Sequence, residues 1–377
     1  MIHTSDFYRL LSENGFSFFS GVPDSLLKDI CAYITDNTTS EKHIIAANEG
    51  AAVALASGYH LATGAYPVVY MQNSGLGNAV NPLLSLADAK VYSIPLLLLV
   101  GWRGEPGVKD EPQHIKQGEI TSDLLEAMKI PHAVLSGDVN VAEAQMKECV
   151  NHLKTNNSPY ALVIRKNTFE PYSLKSKDDG ANDDLMSRED AISAILDLTS
   201  ERDIIVSTTG MTSREVFEYR ERNSQTHAAD FLTVGSMGHA SQIALTIANE
   251  KKERRVICLD GDGATIMHMG SLAIIGKSSP KNYIHIVLNN AAHDSVGGQP
   301  TVADNIDLPA IALACGYTNA CSVTTNEEIT AKFKEYTNRG TTLIEIKVRK
   351  GARKDLGRPT TTPLENKAGF MNHLKEF

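Results

Sequence analysis

The stretch VICLDGDGA, Val256 to Ala264, decides the fold when read with YIHIVLNN, Tyr283 to Asn290. Each is an apolar run that stops abruptly in turn-forming residues. Twenty-five residues lie between Gly263 and Asn289, which suits a crossover helix and a returning parallel strand. That spacing puts Asp262 and Asn290 at the tips of neighbouring strands, where open α/β sheets bind ligands. Gly261 and Gly263 let the backbone approach a phosphate, and the helix expected from Ala264 onward offers it free N–H groups. Carboxylate and amide oxygens meeting there suit Mg²⁺, a hard cation that also takes phosphate oxygens. GDG alone also reads as a tight turn after a strand, and so does a lone Asn-Asn. The two at this interval are far more specific.

Outward from these segments, short apolar runs alternate with helical patterns, the mark of parallel sheets with crossover helices. In the first half, Ser5–Asn14, Ser25–Thr35, Glu49–Thr63 and Gly77–Ala89 read as helices. Phe16–Gly21 is a short apolar run, and Ile44–Ala47, Pro67–Met71 and Pro95–Val100 read as strands. In the second, Asp203–Ser207, Arg255–Leu259, Tyr283–Leu288 and Thr341–Val348 read as strands, with helices over Ser213–Arg222, Gly238–Glu250 and Met269–Gly276. The polar stretch KSKDDGANDD lies between them and reads as a linker. The expected fold is α/β, with two doubly wound, mostly parallel sheets over residues 1–175 and 189–377, joined by a linker over 176–188. The shared alternation raises an internal duplication, although no direct sequence repeat is visible.

Bulk properties narrow the function. The 377 residues carry a net charge of 36 − 45 = −9, which argues against a nucleic-acid or anionic-membrane partner. The start, MIHTSDFYRLLSENG, lacks the pattern of a secretory signal. The longest apolar run, Ile94 to Val100, is too short to span a bilayer. Five cysteines without CxxC spacing fit a reducing cytoplasm better than a disulfide framework or a zinc site.

GDG followed after about twenty-five residues by NN resembles the cofactor motif of the thiamine-diphosphate-dependent enzymes. The resemblance implies that Asp262, the Asn290 side chain and the Ala292 carbonyl hold Mg²⁺ against the diphosphate, beside Gly261, Gly263 and Ala264. Gly235-Ser236-Met237, followed by Gly238, resembles the loop beneath the thiazolium ring. There the Gly235 carbonyl would accept from the aminopyrimidine amino group, and Met237 would wedge the two rings into a bent shape. In another setting Met237 is a core methionine. Thr209-Gly210-Met211-Thr212 resembles a second segment near the diphosphate. Asn48-Glu49-Gly50, ahead of an Ala-rich helix, resembles the activating glutamate, which partners the aminopyrimidine N1′ atom. A glutamate in a first helical turn also has a plain dipole explanation, but its apolar flanks favour burial and a raised pKa.

The order, glutamate half first, resembles the 2-oxo-acid decarboxylase branch of these enzymes. It implies a pyrimidine-binding domain followed by a diphosphate-binding domain, and the short linker leaves no room for a central third domain. The resemblance also implies sites shared between subunits, hence a homodimer at least. Its compact form resembles the members that act on small 2-oxo acids bearing a phosphonate or sulfonate. Segments such as GVPDSLLK (21–28) and GWRGEPGVKDEPQH (101–114) point to the phosphonate.

A tetrahedral anion needs cations or N–H donors, so Arg103, Lys109, His114, His293 and Arg353 are candidates for it; Gln113 and Asp294 are further substrate-site candidates. Arg103 and Lys109 also read as a solvated loop, and Arg353 as part of a basic tail. Asp24 and Ser25 line an entrance or, equally, form a helix N-cap. His114 and His293 are candidate acids or bases near neutral pH, or satisfied structural histidines. The tail 350–363 is expected to close over the site. Two other readings stay open: a thiamine-dependent carboligase, and a non-enzymatic α/β module that uses GDG as a phosphate turn.

Overall fold

The computed structural model describes residues 1–175 and 184–376. The chain divides into two compact units, Met1–Lys177 with Val296–Gln299, and Asp178–Ser295 with Pro300–Phe377. Of the linker expected over 176–188, residues 176–183 lie outside the described residues. Arg188 already opens a helix, Arg188–Leu196, whose N-cap Ser187 accepts from the Asp190 N–H.

The first unit holds β1 (Phe19–Gly21), β2 (His43–Ile45), β3 (Val68–Gln72), β4 (Leu97–Gly101), β5 (His132–Val134) and β6 (Tyr160–Ile164). They form one sheet in the order β2-β1-β3-β4-β6-β5. The second holds β7 (Ile204–Ser207), β8 (Asp230–Leu232), β9 (Val256–Gly261), β10 (Tyr283–Asn289), β11 (Asn319–Val323) and β12 (Thr342–Lys347). Their order is β11-β12-β10-β9-β7-β8. Every pairing among these strands is parallel. Numbered from its own first strand, each sheet has the same winding. That shared order is the architectural form of the repetition raised by the sequence.

Central strands are apolar throughout because both faces of each sheet are covered. Every residue of β4 and β10 is buried. One face of the first sheet packs Phe7, Ile30 and Leu99, and the other packs Val53, Leu83 and Leu98. In the second, Ile195, Phe217 and Ile286 fill one face and Ala244, Leu272 and Val287 the other. Burying one such leucine or isoleucine side chain contributes about 2 kcal/mol, so these layers hold the strand tips in place.

Local chemistry sets the helix ends. Glu49–Thr63 starts where Asn48 accepts from the Ala51 N–H at 2.9 Å and stops at left-handed Gly64. The helix expected over Gly77–Ala89 is instead Leu76–Pro82, continued by a wider π-type turn over Leu83–Ala87. Pro82 has no N–H to continue the ladder, so the regular hydrogen-bond pattern breaks there. The helix expected over Met269–Gly276 spans Ser271–Ser278, after a separate short helix Asp262–Met267. None of the helices among the described residues is long and apolar enough to cross a membrane.

Candidate active site

Both sheets reverse their winding between the first and third strands, and the residues singled out by motif follow the carboxyl ends of strands around that point. Such reversals create the crevice in which α/β sheets hold ligands. In the second unit, β10, β9, β7 and β8 are consecutive neighbours. Gly261 pairs with Leu288, Ser207 with both Leu259 and Leu232. The loops starting at Asn290, Gly261, Thr208 and Thr233 therefore leave one edge side by side.

Hydrogen bonds lock these loops together. Ser213 Oγ donates to the Thr208 and Thr233 carbonyls, at 2.7 and 2.9 Å, and pairs with Ser207 Oγ. Gly210 has φ 94°, a conformation open to glycine, and the helix Met211–Arg222 begins right after it. Thr209, Gly210 and Met211 are partly exposed, and Thr212 is buried. A Cβ on Gly263 would lie 3.0 Å from the His293 ring and 3.5 Å from Met237 Cε. A Cβ on Gly238 would meet the Ala264 carbonyl at 3.0 Å. The 235–238 loop, the GDG turn and His293 thus meet at one place. Ser236 and Ala291 both hold positive φ, 59° and 53°, a cost accepted where the backbone must present particular groups.

Asp262 is buried, and burial pushes its carboxyl up to about 6, with the charge of Asp294 adding to the rise. Thr301, absent from the motif reading, donates its hydroxyl to Asp262 Oδ2. Asn290 Oδ1 accepts from the Ala292 N–H at 3.1 Å, and Asn290 Nδ2 donates to Asp294 Oδ2 at 2.6 Å. A buried acid beside a second acid and an amide oxygen is a donor set that a hard divalent cation would relieve, so these residues fit Mg²⁺. His293 is pushed down to about 4 by burial, which keeps its ring neutral. Arg353 is held by Glu189, Glu218 and Asp355. The Gly351 and Gly357 N–H groups donate to Asp294 and Glu218, so this part of the tail is fastened to the second unit.

The first unit gathers different residues at the equivalent edge. Glu49 follows β2 and is buried, and burial raises its pKa. Its Oε2 accepts from Asn78 Nδ2 at 2.8 Å. A Cβ on Gly75 would sit 2.4 Å from Glu49 Oε1, so only glycine leaves space for that carboxyl. After β1, fully buried Asp24 accepts from the Leu26 N–H at 2.8 Å, and its Oδ1 has no partner among the described residues. Burial pushes Asp24 up to about 6, opposed by that N–H and by the charge of Arg103.

Asp110, which the sequence reading passed over, organises the loop after β4. It accepts from Arg103 Nε, the Gly104 N–H and the Glu111 N–H, all at 2.8 Å, and pairs with His114 Nδ1 at 3.0 Å. Arg103 Nη1 continues to Ser25 Oγ at 2.8 Å. Burial would raise Asp110, but the Arg103 and His114 contacts outweigh it and hold the carboxyl well below its usual range. Burial lowers His114 despite that partner. Asp24, Ser25, Arg103 and His114 are thereby brought together. Lys109 is exposed, and Gln113 keeps a buried Oε1 without a partner among the described residues. Asn78 lies within the expected helix Gly77–Ala89 and Asp110 within the segment 101–114, but their partners are set by tertiary loop geometry, which no local spacing encodes.

Two parallel sheets with these edges define a coenzyme-binding α/β protein. Residues 3–127 match the N-terminal TPP binding domain of thiamine pyrophosphate enzymes, and residues 208–346 the C-terminal TPP binding domain. A phosphonopyruvate decarboxylase of Streptomyces hygroscopicus is 34% identical over 392 residues, covering 100% of this chain and 95% of the relative. Another, of Streptomyces viridochromogenes, is 34% identical and covers 97% and 93%. A sulfopyruvate decarboxylase of Methanosarcina acetivorans is 28% identical and covers 87% and 86%. The chain belongs to the thiamine pyrophosphate enzymes, in the family that contains the phosphonopyruvate decarboxylases.

Proposed function

We propose that the protein is a carboxy-lyase that converts 3-phosphonopyruvate to phosphonoacetaldehyde and CO₂ in phosphonate biosynthesis of the 2-aminoethylphosphonate type, using thiamine diphosphate and Mg²⁺. The observation that carries this reading is similarity to two phosphonopyruvate decarboxylases along the whole chain, above that to the sulfopyruvate enzyme. When bound, the coenzyme supplies a nucleophilic thiazolium carbon and takes up the electron pair released with CO₂.

The chain's own groups bind, orient and move protons. Asp262, Asn290 and the Ala292 carbonyl would hold the metal, and Gly261, Gly263, Ala264 and Thr209–Thr212 the diphosphate. Gly235, Ser236 and Met237 would seat the rings. Glu49, kept protonated more easily by burial, would share its proton with the aminopyrimidine N1′ atom. His114 and His293 are the proposed acid and base groups. Asp24, Ser25 and Arg103 would face the oxo acid. Arg103 is already paired with Asp110, so it would meet the phosphonate as a fixed donor more than as a free charge.

Glu49 and the metal donors belong to different halves, and the resemblance to the thiamine-diphosphate enzymes implies that such halves meet between subunits, so a homodimer at least is proposed. The unpatterned cysteines support a cytoplasmic setting. The test is aldehyde formation by the purified protein with thiamine diphosphate and Mg²⁺. Phosphonopyruvate should be turned over faster than sulfopyruvate and pyruvate; equal or faster turnover of sulfopyruvate would reassign the substrate.

A further inference from the structure

Asp294 stood among the substrate-site candidates, but its contacts point elsewhere. One oxygen, Oδ2, accepts from three donors: Asn290 Nδ2 at 2.6 Å, the Gly351 N–H at 2.8 Å and Arg188 Nη1 at 3.3 Å. Arg188 is itself clamped by Glu215, with Nε and Nη2 donating to its two oxygens at 2.8 and 3.0 Å. Arg188 and Glu215 are buried, and both Glu215 oxygens accept, the geometry of an ionised pair. Glu215 lies on the helix that starts at Met211, beside the turn Thr209–Gly210. The network therefore ties together the loop after β7, the loop after β10 and the carboxyl-terminal tail.

The consequence falls on Asn290. Asp294 Oδ2 is an acceptor that already takes the Gly351 N–H and Arg188 Nη1, so it fixes which end of the Asn290 amide faces it. The NH₂ group turns to Asp294, and the carbonyl oxygen is left on the side of the Ala292 N–H. Turned over, the amide would present its NH₂ group to a cation and repel it, and the Ala292 N–H alone would be left to prevent that. Groups that orient a metal's ligands are worth about 10- to 100-fold in metal affinity when removed.

We propose that Asp294, held by the Arg188–Glu215 pair, is a positioning residue that sets the Asn290 amide for Mg²⁺ rather than a contact for the substrate. This rests on the magnesium reading above, and the experiment separates the two. Mg²⁺ is titrated calorimetrically into the full-length protein with saturating thiamine diphosphate. Asp294→Ala should weaken Mg²⁺ binding about 10- to 100-fold, and kcat should recover as Mg²⁺ is raised. Asp294→Asn keeps the shape and an acceptor oxygen and should lose less than Asp294→Ala. Glu215→Gln, which leaves the Asp294–Asn290 contact in place, should fall between wild type and Asp294→Ala and serves if the alanine variant does not fold. Wild-type Mg²⁺ affinity in Asp294→Ala, or in both other variants, would overturn the positioning role while leaving the metal site standing. A wild-type protein that takes up no Mg²⁺ would overturn the metal reading and this inference with it.

Discussion

At the tip of β3 the first unit carries Asn73-Ser74-Gly75; at the corresponding tip of β9 the second carries Gly261-Asp262-Gly263. After the second strand of each sheet comes Glu49 in one and the Gly235–Met237 loop in the other. Two units with the same winding thus present opposite chemistry at matching edges. The first uses its glycine to leave space for a buried carboxyl that opens the helix after β2, two strands along the sheet. The second puts the carboxyl between the glycines and surrounds it with further oxygen donors. Asp24 and Asp262 make the contrast sharper. Burial pushes both up to about 6, yet Asp24 faces the Arg103 cation and Asp262 faces the Asp294 anion. The Arg103 cation opposes the proton that burial favours on Asp24, whereas the Asp294 anion adds to burial at Asp262, a repulsion that a bound metal would relieve. The scaffold supplies the position, and the neighbouring charge decides the use.

The contrast is broken most directly at Glu49. Glu49→Ala should lower kcat by about 10²- to 10⁴-fold and leave coenzyme binding, followed calorimetrically, within a few-fold of wild type. Loss of binding instead of turnover would erase the distinction between the two edges.

Asp24→Asn comes next. Asp24 has a folded pKa of about 6 against an ordinary 3.8, so the folded state holds its proton more tightly than the unfolded chain. Stability from this group is therefore present at low pH and is lost as pH rises from about 4 to about 6. Relative to wild type, Asp24→Asn should gain up to about 3 kcal/mol across that window in denaturant melts. An equal pH dependence in both proteins would remove Asp24 as a proton-holding group. Asp262→Ala removes a proposed direct ligand and should cost more Mg²⁺-dependent coenzyme affinity than the about 10- to 100-fold expected for an orienting partner, with turnover recovering at high Mg²⁺ more than it does in Glu49→Ala.

The glycines give the smallest effects. Gly75→Ala drives a methyl against the Glu49 carboxyl and should cost about tenfold in kcat through misplacement. Gly263→Ala meets only the edge of His293 and Met237 and should cost about threefold or less. A larger loss at Gly263 would mean that the diphosphate turn tolerates less than its contacts allow.

The fold is legible where strands are long and apolar. VICL and YIHIVL announce β9 and β10, and the interval between GDG and NN places them side by side, as their pairing has it. The edge strands β5 and β8 are three residues long, too short for any period to show. β6 and the helix Val139–Asn156 carry apolar patterns of their own, but no motif drew the reading to that stretch. In the site, Glu49, Asp262 and Asn290 stand in motifs tied to strand ends and could be read in advance. Asp110, Thr301 and the Arg188–Glu215 pair could not, because the side chains they meet lie 4 to 106 residues away and come together only when the loops are folded. Asp294 was noticed for its charge, yet its role depends on which end of an amide it faces.

Under the proposed function, the two edges come from two chains and serve one coenzyme. Mixing Glu49→Ala and Asp262→Ala proteins, after dissociation and reassociation, tests it directly. If each site takes Glu49 from one subunit and Asp262 from its partner, half of the dimers are mixed and each mixed dimer has one intact site. At limiting Mg²⁺, where both parents are nearly inactive, activity should return to about a quarter of wild type. Mixtures confirmed to exchange subunits that stay as inactive as their parents would contradict it.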